Sequence, residues 1–165
     1  MKVGRLIRHL CTTRWSTRAR FSPAVLDAIA QAIGECEDRH GGEIRFIVES
    51  ALDLPELWRD MPPRQRALQL FGQFGVWDTA HNNGVLVYVL MADRDVEIVA
   101  DRGIAQHVSQ AEWQAVCRQM EAHFRAGRFR EASVLGILGV GALLGRHFPG
   151  TAPGGSELPN QPVLL

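Results

Sequence analysis

The sequence predicts an α/β fold, a three-layer α/β/α sandwich around a small mixed sheet containing one antiparallel hairpin. Three observations favour it. Glu43 to Glu49 alternates, with Ile44, Phe46 and Val48 on one face, which predicts a strand. Val85 to Met91 is a nearly continuous apolar run, which is typical of a strand buried on both faces. Segments with apolar residues at helical spacing precede and follow these strands, so helices are expected on both sides of the sheet.

Two helical segments frame the first strand. Ser22 followed by Pro23 is a favourable helix start, and a glycine pair ends this helix after His40. Between the strands, Pro55 to Gly75 predicts a helical region that a pair of prolines interrupts. The residues expected to face inward in its second half are Leu68, Phe71 and Phe74.

The second half of the chain predicts a hairpin followed by two helices. A short turn joins Val85 to Met91 with a further strand at Val96 to Ala100, which indicates antiparallel pairing. Ser109 and Glu112 have the spacing of a capping box at the start of a helix. A final helix is expected from about Phe129 to His147.

The chain of 165 residues divides into a basic N-terminal arm (1–21), one α/β domain (22–148) and a Pro/Gly-rich C-terminal tail (149–165). Before the first acidic residue, Asp27, the basic side chains are Lys2, Arg5, Arg8, Arg14, Arg18 and Arg20. Two interpretations of the arm stay open, a solvated segment or one that contacts phosphate or acidic lipid. The tail is expected to be extended, or docked on the domain through its last four residues.

Composition excludes several classes of protein. The formal net charge is zero, so we expect no nucleic-acid partner. Three cysteines without motif spacing argue against a disulfide framework and favour a reducing, cytoplasmic location. A secretory signal is not recognisable, and no apolar segment reaches the ~20 residues of a spanning helix, so no transmembrane segment is expected.

Candidate functional residues collect at one end of the predicted sheet. The loop that enters the first strand of a hairpin lies beside the end of the second strand, so Trp77–Gly84 should meet Asp101–Gly103. The oxygen ligands of such a site suit Ca²⁺ or Mg²⁺, and a plain structural turn or another ligand site are the open alternatives. The candidate metal ligands are Asp78, Asn82 and Asp101. The candidate binding residues are Trp77, His81, Asn83 and Arg102.

The same residues carry a family resemblance. Segments 76–88 and 92–104 resemble the TPM domain, which occurs in a thylakoid-lumen repair protein, a photosystem accessory protein and a nematode receptor modulator. Segments 40–46, 147–149 and 157–159 are similar to its short bacterial branch without signal peptide or membrane helix. The resemblance implies an α/β/α sandwich and, in some members, a divalent-cation site near the Asp/Asn loop.

The resemblance implies two functions of different classes. Bacterial members are often encoded beside LemA-type membrane proteins, which implies a binding or scaffold module in a membrane-linked process, peripheral at the membrane. The alternative is a metal-dependent, acid-phosphatase-like phosphoester hydrolase, an activity proposed for the plant member, with Asp78 and Asp101 on the ion and Arg102 facing the phosphoryl group. This chain departs from exported relatives because no carboxylate follows Gly103-Ile104 until Glu112.

Overall fold

A computed structural model describes residues 3–150 and 156–165. Residues 1–2 of the predicted arm and 151–155 of the predicted tail lie outside this description. The centre of the fold is a mixed sheet, whose strands in chain order are β1 (Glu43–Glu49), β2 (Gly84–Leu90), β3 (Asp95–Ala100) and β4 (Val163–Leu164). The spatial order is β3-β2-β1-β4, with β1 parallel to β2 and β4 and with β2 antiparallel to β3.

Helices cover both faces of the sheet. In chain order, those of the described residues are α1 (Val3–Cys11), α2 (Arg14–Arg20), α3 (Pro23–Glu37), α4 (Leu54–Trp58), α5 (Pro63–Gln73), α6 (Arg102–Ala105), α7 (Gln110–Arg125) and α8 (Phe129–His147). Helices α3, α7 and α8 share one hydrophobic cluster with the sheet, and α4 and α5 share a second. The predicted α/β/α sandwich with one hairpin is therefore confirmed.

The position of β2 in the sheet explains why its sequence is apolar throughout. Alternate side chains of a strand point to opposite faces, and both faces of β2 are covered. Val85, Val87 and Val89 pack in the cluster with α3, α7 and α8. The residues between them, Leu86, Tyr88 and Leu90, pack in the cluster with α4 and α5.

One predicted helix face is wrong. Leu68 of α5 was expected to face inward, but its side chain is 51% exposed. Ala67 and Leu70 are the fully buried residues of this helix, and Phe71 and Phe74 are only partly buried. The face was misassigned because Leu68, Phe71 and Phe74 share helical spacing, while contact with the sheet depends on where α5 begins after Pro62.

The N-terminal segment contains two helices, and α1 is fixed to the hairpin turn by polar side chains. Arg5 donates to Asp93 from Nε and Nη2, at 3.0 and 2.7 Å from Oδ2. Arg5 Nη2 also lies 2.6 Å from Met61 O. His9 is buried, with Nε2 3.1 Å from Asp93 Oδ1 and with Nδ1 accepting from the Leu52 amide at 3.0 Å.

The C-terminal segment lies along the free edge of β1. The buried Glu43 carboxylate accepts from the amides of Glu157 and Leu158, both at 3.0 Å. Arg45 donates to the carbonyl of Gln161 at 3.0 Å. These long-range bonds hold the short strand β4 in place. The C-terminal segment therefore covers the edge of β1 that does not pair with β2.

Removal of the Asp93 charge should destabilise the fold. Asp93→Asn leaves Arg5 and His9 without their carboxylate, so we expect a loss of about 2–4 kcal/mol in the free energy of unfolding at neutral pH, measured in urea. Asp60→Asn is the matched control. Asp60 also contacts Arg5, at 3.2 Å, but its side chain is 53% exposed, so its loss should stay below about 1 kcal/mol.

The effect of Asp93→Asn should depend on pH. Burial by itself would raise the pKa of Asp93, but Arg5 and His9 outweigh burial and hold it below its ordinary value. The contribution of a carboxyl with a depressed folded-state pKa is present above the unfolded pKa and is lost as pH falls through the folded value. The difference between wild type and variant should therefore shrink below about pH 4; a constant difference down to strongly acidic pH contradicts this account.

Candidate functional site

The loop before β2 and the residues after β3 meet at one end of the sheet, as the hairpin connection requires. The Gly103 amide donates to the Asn82 carbonyl at 3.1 Å, and the Asp101 amide donates to the Gly84 carbonyl at 2.9 Å. We call residues 77–84 together with 101–103 the rim. The seven candidate residues of the sequence analysis all belong to the rim, and the structure divides them into buried and exposed groups.

Asn83 is fully buried and links three segments of the chain. Its side-chain nitrogen donates to the Gly41 carbonyl. Its backbone amide donates to Thr79 Oγ1 at 3.0 Å, and its carbonyl accepts from the Glu43 amide at 3.1 Å. Asn83 therefore fixes the backbone of the rim and is not available on the surface.

Asp101 is also buried, with 6% of its surface exposed. Its Oδ1 accepts from the Arg102 amide at 2.6 Å and so caps the short helix α6. Its second oxygen, Oδ2, is buried without a hydrogen-bond partner among the described residues, and the same holds for Oδ1 of Asn83. A buried acceptor without a hydrogen-bond partner lowers the stability of the fold. These two oxygens are therefore the atoms of the rim at which a bound ligand would supply a missing contact.

The other candidate residues are exposed. The Trp77 side chain is 54% exposed, and its Nε1 lies 3.4 Å from the Gly72 carbonyl at the end of α5. Asp78, His81 and Asn82 are exposed on the same loop, and Arg102 is exposed on the facing segment. The rim thus presents an indole, a carboxylate, an imidazole, an amide and a guanidinium to solvent.

The rim does not present a complete set of metal ligands. Within residues 3–150 and 156–165, no group of three or more His, Cys, Asp or Glu side chains is arranged to hold a metal ion. Asp78 is exposed, whereas Asp101 is buried and capped onto α6. The observation that favours a cation at the rim is therefore limited to the two buried oxygens that have no partner within the described part of the chain, Asp101 Oδ2 and Asn83 Oδ1.

A second feature, which sequence reasoning missed, lies at the opposite end of the sheet. A cavity of about 470 Å³ opens beside the end of β2, between α1, the hairpin turn and the ends of α7 and α8. We call it the arginine cavity after the side chains that line it, Arg8, Arg20, Arg94 and Arg125. These residues come from four separate segments of the chain, so their spacing in the sequence did not indicate that they lie together.

Most of the chain is similar to one known domain family. The model of the TPM domain matches residues 17–143 of the chain, which include the whole rim. The chain belongs to the TPM domain family. The first 16 residues, which contain α1, lie outside the match. No curated protein matches the chain.

Two solved structures share the fold of this TPM domain. The NMR structure of BA42 from the psychrophilic bacterium Bizionia argentinensis is 30% identical, with a TM-score of 0.72 over 87% of this chain and 94% of that one. The NMR structure of the N-terminal domain of a P. gingivalis protein is 21% identical, with a TM-score of 0.62 over 77% and 78% of the two chains. Across the described residues of this TPM domain, no helix has the length and apolar character needed to cross a bilayer.

A side chain at position 103 should loosen the rim. An added Cβ on Gly103 would lie 2.5 Å from the Asn82 carbonyl oxygen, so the two segments must move apart. We expect Gly103→Ala to lower the free energy of unfolding by about 1–3 kcal/mol, measured in urea.

The matched control for this substitution is Gly72→Ala. Its Cβ would meet nothing within 4 Å, and the residue lies in helix α5, so the change should be neutral or stabilise by up to about 1 kcal/mol. A Gly103→Ala protein as stable as the wild type would contradict the close contact within the rim.

Proposed function

We propose that this TPM domain is a binding module that acts from the cytoplasm, peripheral at the membrane, and that its rim docks a membrane-protein partner of the LemA type. The observation that carries the proposal is the half-exposed indole of Trp77 on a rim whose backbone is fixed from beneath by Asn83. Exposed tryptophan and arginine side chains are enriched among the residues that dominate binding energy at protein interfaces.

A rigid backbone favours binding because little conformational freedom is lost when a partner docks. The rim is held by the Gly103–Asn82 and Asp101–Gly84 backbone bonds, and Glu157 accepts from the Ala80 amide at 3.1 Å. The exposed side chains therefore stand on a fixed platform. In this role Asn83 and Asp101 shape the platform, while Trp77, His81 and Arg102 contact the partner.

The test is direct binding to the soluble part of a LemA-type membrane protein, measured by isothermal titration calorimetry. Trp77→Ala and Arg102→Ala should each weaken the affinity by about tenfold or more, because each removes a large exposed side chain of a type that often dominates binding energy. Trp58→Ala is the matched control, since Trp58 is 72% exposed on α4, outside the rim, and its loss should leave the affinity unchanged.

Two outcomes would overturn the proposal. One is the absence of binding by the wild-type protein at concentrations of about 100 μM, well above the dissociation constants of specific complexes. The other is equal weakening by Trp58→Ala and Trp77→Ala, because the contact would then not be centred on the rim.

A second candidate function is a cation-dependent phosphoester hydrolase, and the buried oxygens of Asp101 and Asn83 favour it. Asp101 and Asp78 would hold Ca²⁺ or Mg²⁺, with Asn82 as a neutral ligand, and the ion would supply polarisation of a phosphoryl oxygen when bound. Arg102, exposed beside Asp101, would offset negative charge on the transferred group.

The cation candidate is tested by thermal shift. An ion that binds only the native state raises the melting temperature, so millimolar Ca²⁺ or Mg²⁺ should raise that of the wild type by several degrees, on the order of 3–8 °C. Asp101→Asn should remove the shift, whereas Asp38→Asn, an exposed carboxylate outside the rim, should keep it. Turnover of p-nitrophenyl phosphate by the wild type, with loss of turnover in a folded Asp78→Ala protein, would show that the bound ion also supports catalysis. An unchanged melting temperature with both ions contradicts the candidate.

A further inference from the structure

Helix α1 packs against the protein with its polar side chains. The Arg5 side chain is only 12% exposed and that of His9 is 1% exposed, and both face Asp93 of the hairpin turn. A surface helix of a globular protein normally turns its apolar stripe toward the core and its polar side outward. Apart from the partly buried Leu6, α1 has the opposite orientation.

The reverse face of α1 is consequently apolar and exposed. Val3, Ile7 and Leu10 follow one another at spacings of four and three residues, so they share one face of the helix. Their exposed fractions are 69%, 54% and 64%. Trp15 in the next helix, α2, is 80% exposed. We call these four side chains the apolar stripe.

The segment that carries the apolar stripe also carries exposed cationic groups. Arg14, Arg18 and Arg20 of α2 are exposed, and no acidic residue precedes Asp27 in the chain. Arg8 contacts the Ala92 carbonyl at 3.3 Å and Asp93 Oδ1 at 3.4 Å, and half of its side chain remains exposed. The segment that carries the stripe is therefore positively charged on its outer surface.

The arginine cavity continues this surface. Arg8 and Cys11 of α1 form one wall of the cavity, so it opens beside the stripe. One carboxylate lines the cavity with its four arginines, Asp95, whose pKa is raised to about 6 because burial and the neighbouring Glu97 disfavour its charge. Two of the arginines also contact acidic groups outside the lining, Arg8 at 3.4 Å from Asp93 and Arg125 at 3.5 Å from Glu121, so the excess positive charge comes chiefly from Arg20 and Arg94. The remaining walls include the apolar side chains of Met91, Phe124 and Phe129. Such a cavity suits an anionic group attached to an apolar body.

We propose that the apolar stripe and the arginine cavity together dock on a bilayer that contains anionic phospholipids. The stripe enters the boundary between headgroups and acyl chains, and the cavity takes a headgroup phosphate. The proposal deepens the peripheral membrane placement proposed above by naming the surface that meets lipid, and it uses no residue of the rim.

Charge favours a bilayer over a second copy of this chain as the occupant. Two copies joined through the stripe would bring together two sets of the α2 arginines, Arg14, Arg18 and Arg20, which make no ion pair among the described residues. An anionic bilayer neutralises the same arginines, and basic residues near such a surface are attracted within a Debye length. Trp15 also suits the headgroup level, where an indole keeps an apolar body buried and its N–H wet.

The test is sedimentation of the full chain with vesicles of phosphatidylcholine, with and without about 30% phosphatidylglycerol. Wild type should partition about tenfold more strongly into the anionic vesicles, and the difference should shrink as salt is added. The double variant Ile7→Gln/Leu10→Gln should lose about tenfold in partitioning. Leu68→Gln is its matched control, since Leu68 is 51% exposed on α5, and it should bind as the wild type does.

Two further variants separate the cavity from the stripe. Arg94→Gln/Arg125→Gln should weaken binding to the anionic vesicles and leave the weak binding to phosphatidylcholine unchanged. Anionic vesicles should shift tryptophan emission to the blue in the wild type, and Trp15→Phe should remove that shift, because the other tryptophans lie outside the surface.

Each contrary result identifies a different error. Equal partitioning into both kinds of vesicle, or binding that survives Ile7→Gln/Leu10→Gln, overturns the proposal. A dimer in light scattering that this double variant abolishes, together with no vesicle binding, would make a second copy the occupant and would also overturn it. Trp77→Ala should leave vesicle binding unchanged, so failure here is distinguishable from failure of partner binding at the rim.

Discussion

The buried amide of Asn83 is the interaction on which the rim depends. It ties the loop before β2 to Gly41, at the end of the connection from α3, while its backbone bonds reach Thr79 and Glu43. These bonds satisfy polar groups that burial would otherwise leave unpaired. Because the loop is held from inside, its exposed side chains are presented in one arrangement, and the candidate site exists only while that arrangement persists.

The sequence predicts most of the fold because its signals are local. The apolar run of β2, the sequence pattern of β1 and the capping box of Ser109 and Glu112 each act within a few residues. The structure contains both strands and the capping box, although all seven residues of β1 are buried. The rim followed from connectivity alone, since a hairpin brings its two flanking segments together. The division of rim residues into buried and exposed could not be predicted, because it depends on Gly41 and Thr79 lying beside Asn83.

Features set by long-range contacts were predicted only in part. Docking of the last four residues was one of the two expectations for the tail, and the pairing of Val163 and Leu164 with β1 agrees with it, but the contacts that hold this segment were not predicted. Strand β4 is two residues long, and side chains of β1 more than a hundred residues earlier hold the segment that leads to it. In α1 the periodicity identifies an apolar face, but periodicity does not reveal which face the protein buries. Arg5 and His9 decide that orientation through Asp93, a residue of the distant hairpin turn.

The two proposed surfaces lie at opposite ends of β2, about 20 Å apart for a strand of this length. Both depend on a rim and a hairpin turn that keep fixed shapes, and amide hydrogen exchange followed by NMR tests this rigidity at the rim most directly. The Glu43 and Gly103 amides, which donate to the Asn83 and Asn82 carbonyls, should be protected to nearly the level of the Val87 amide within β2. Exchange at both amides at the rate of an open, unstructured loop would contradict the account.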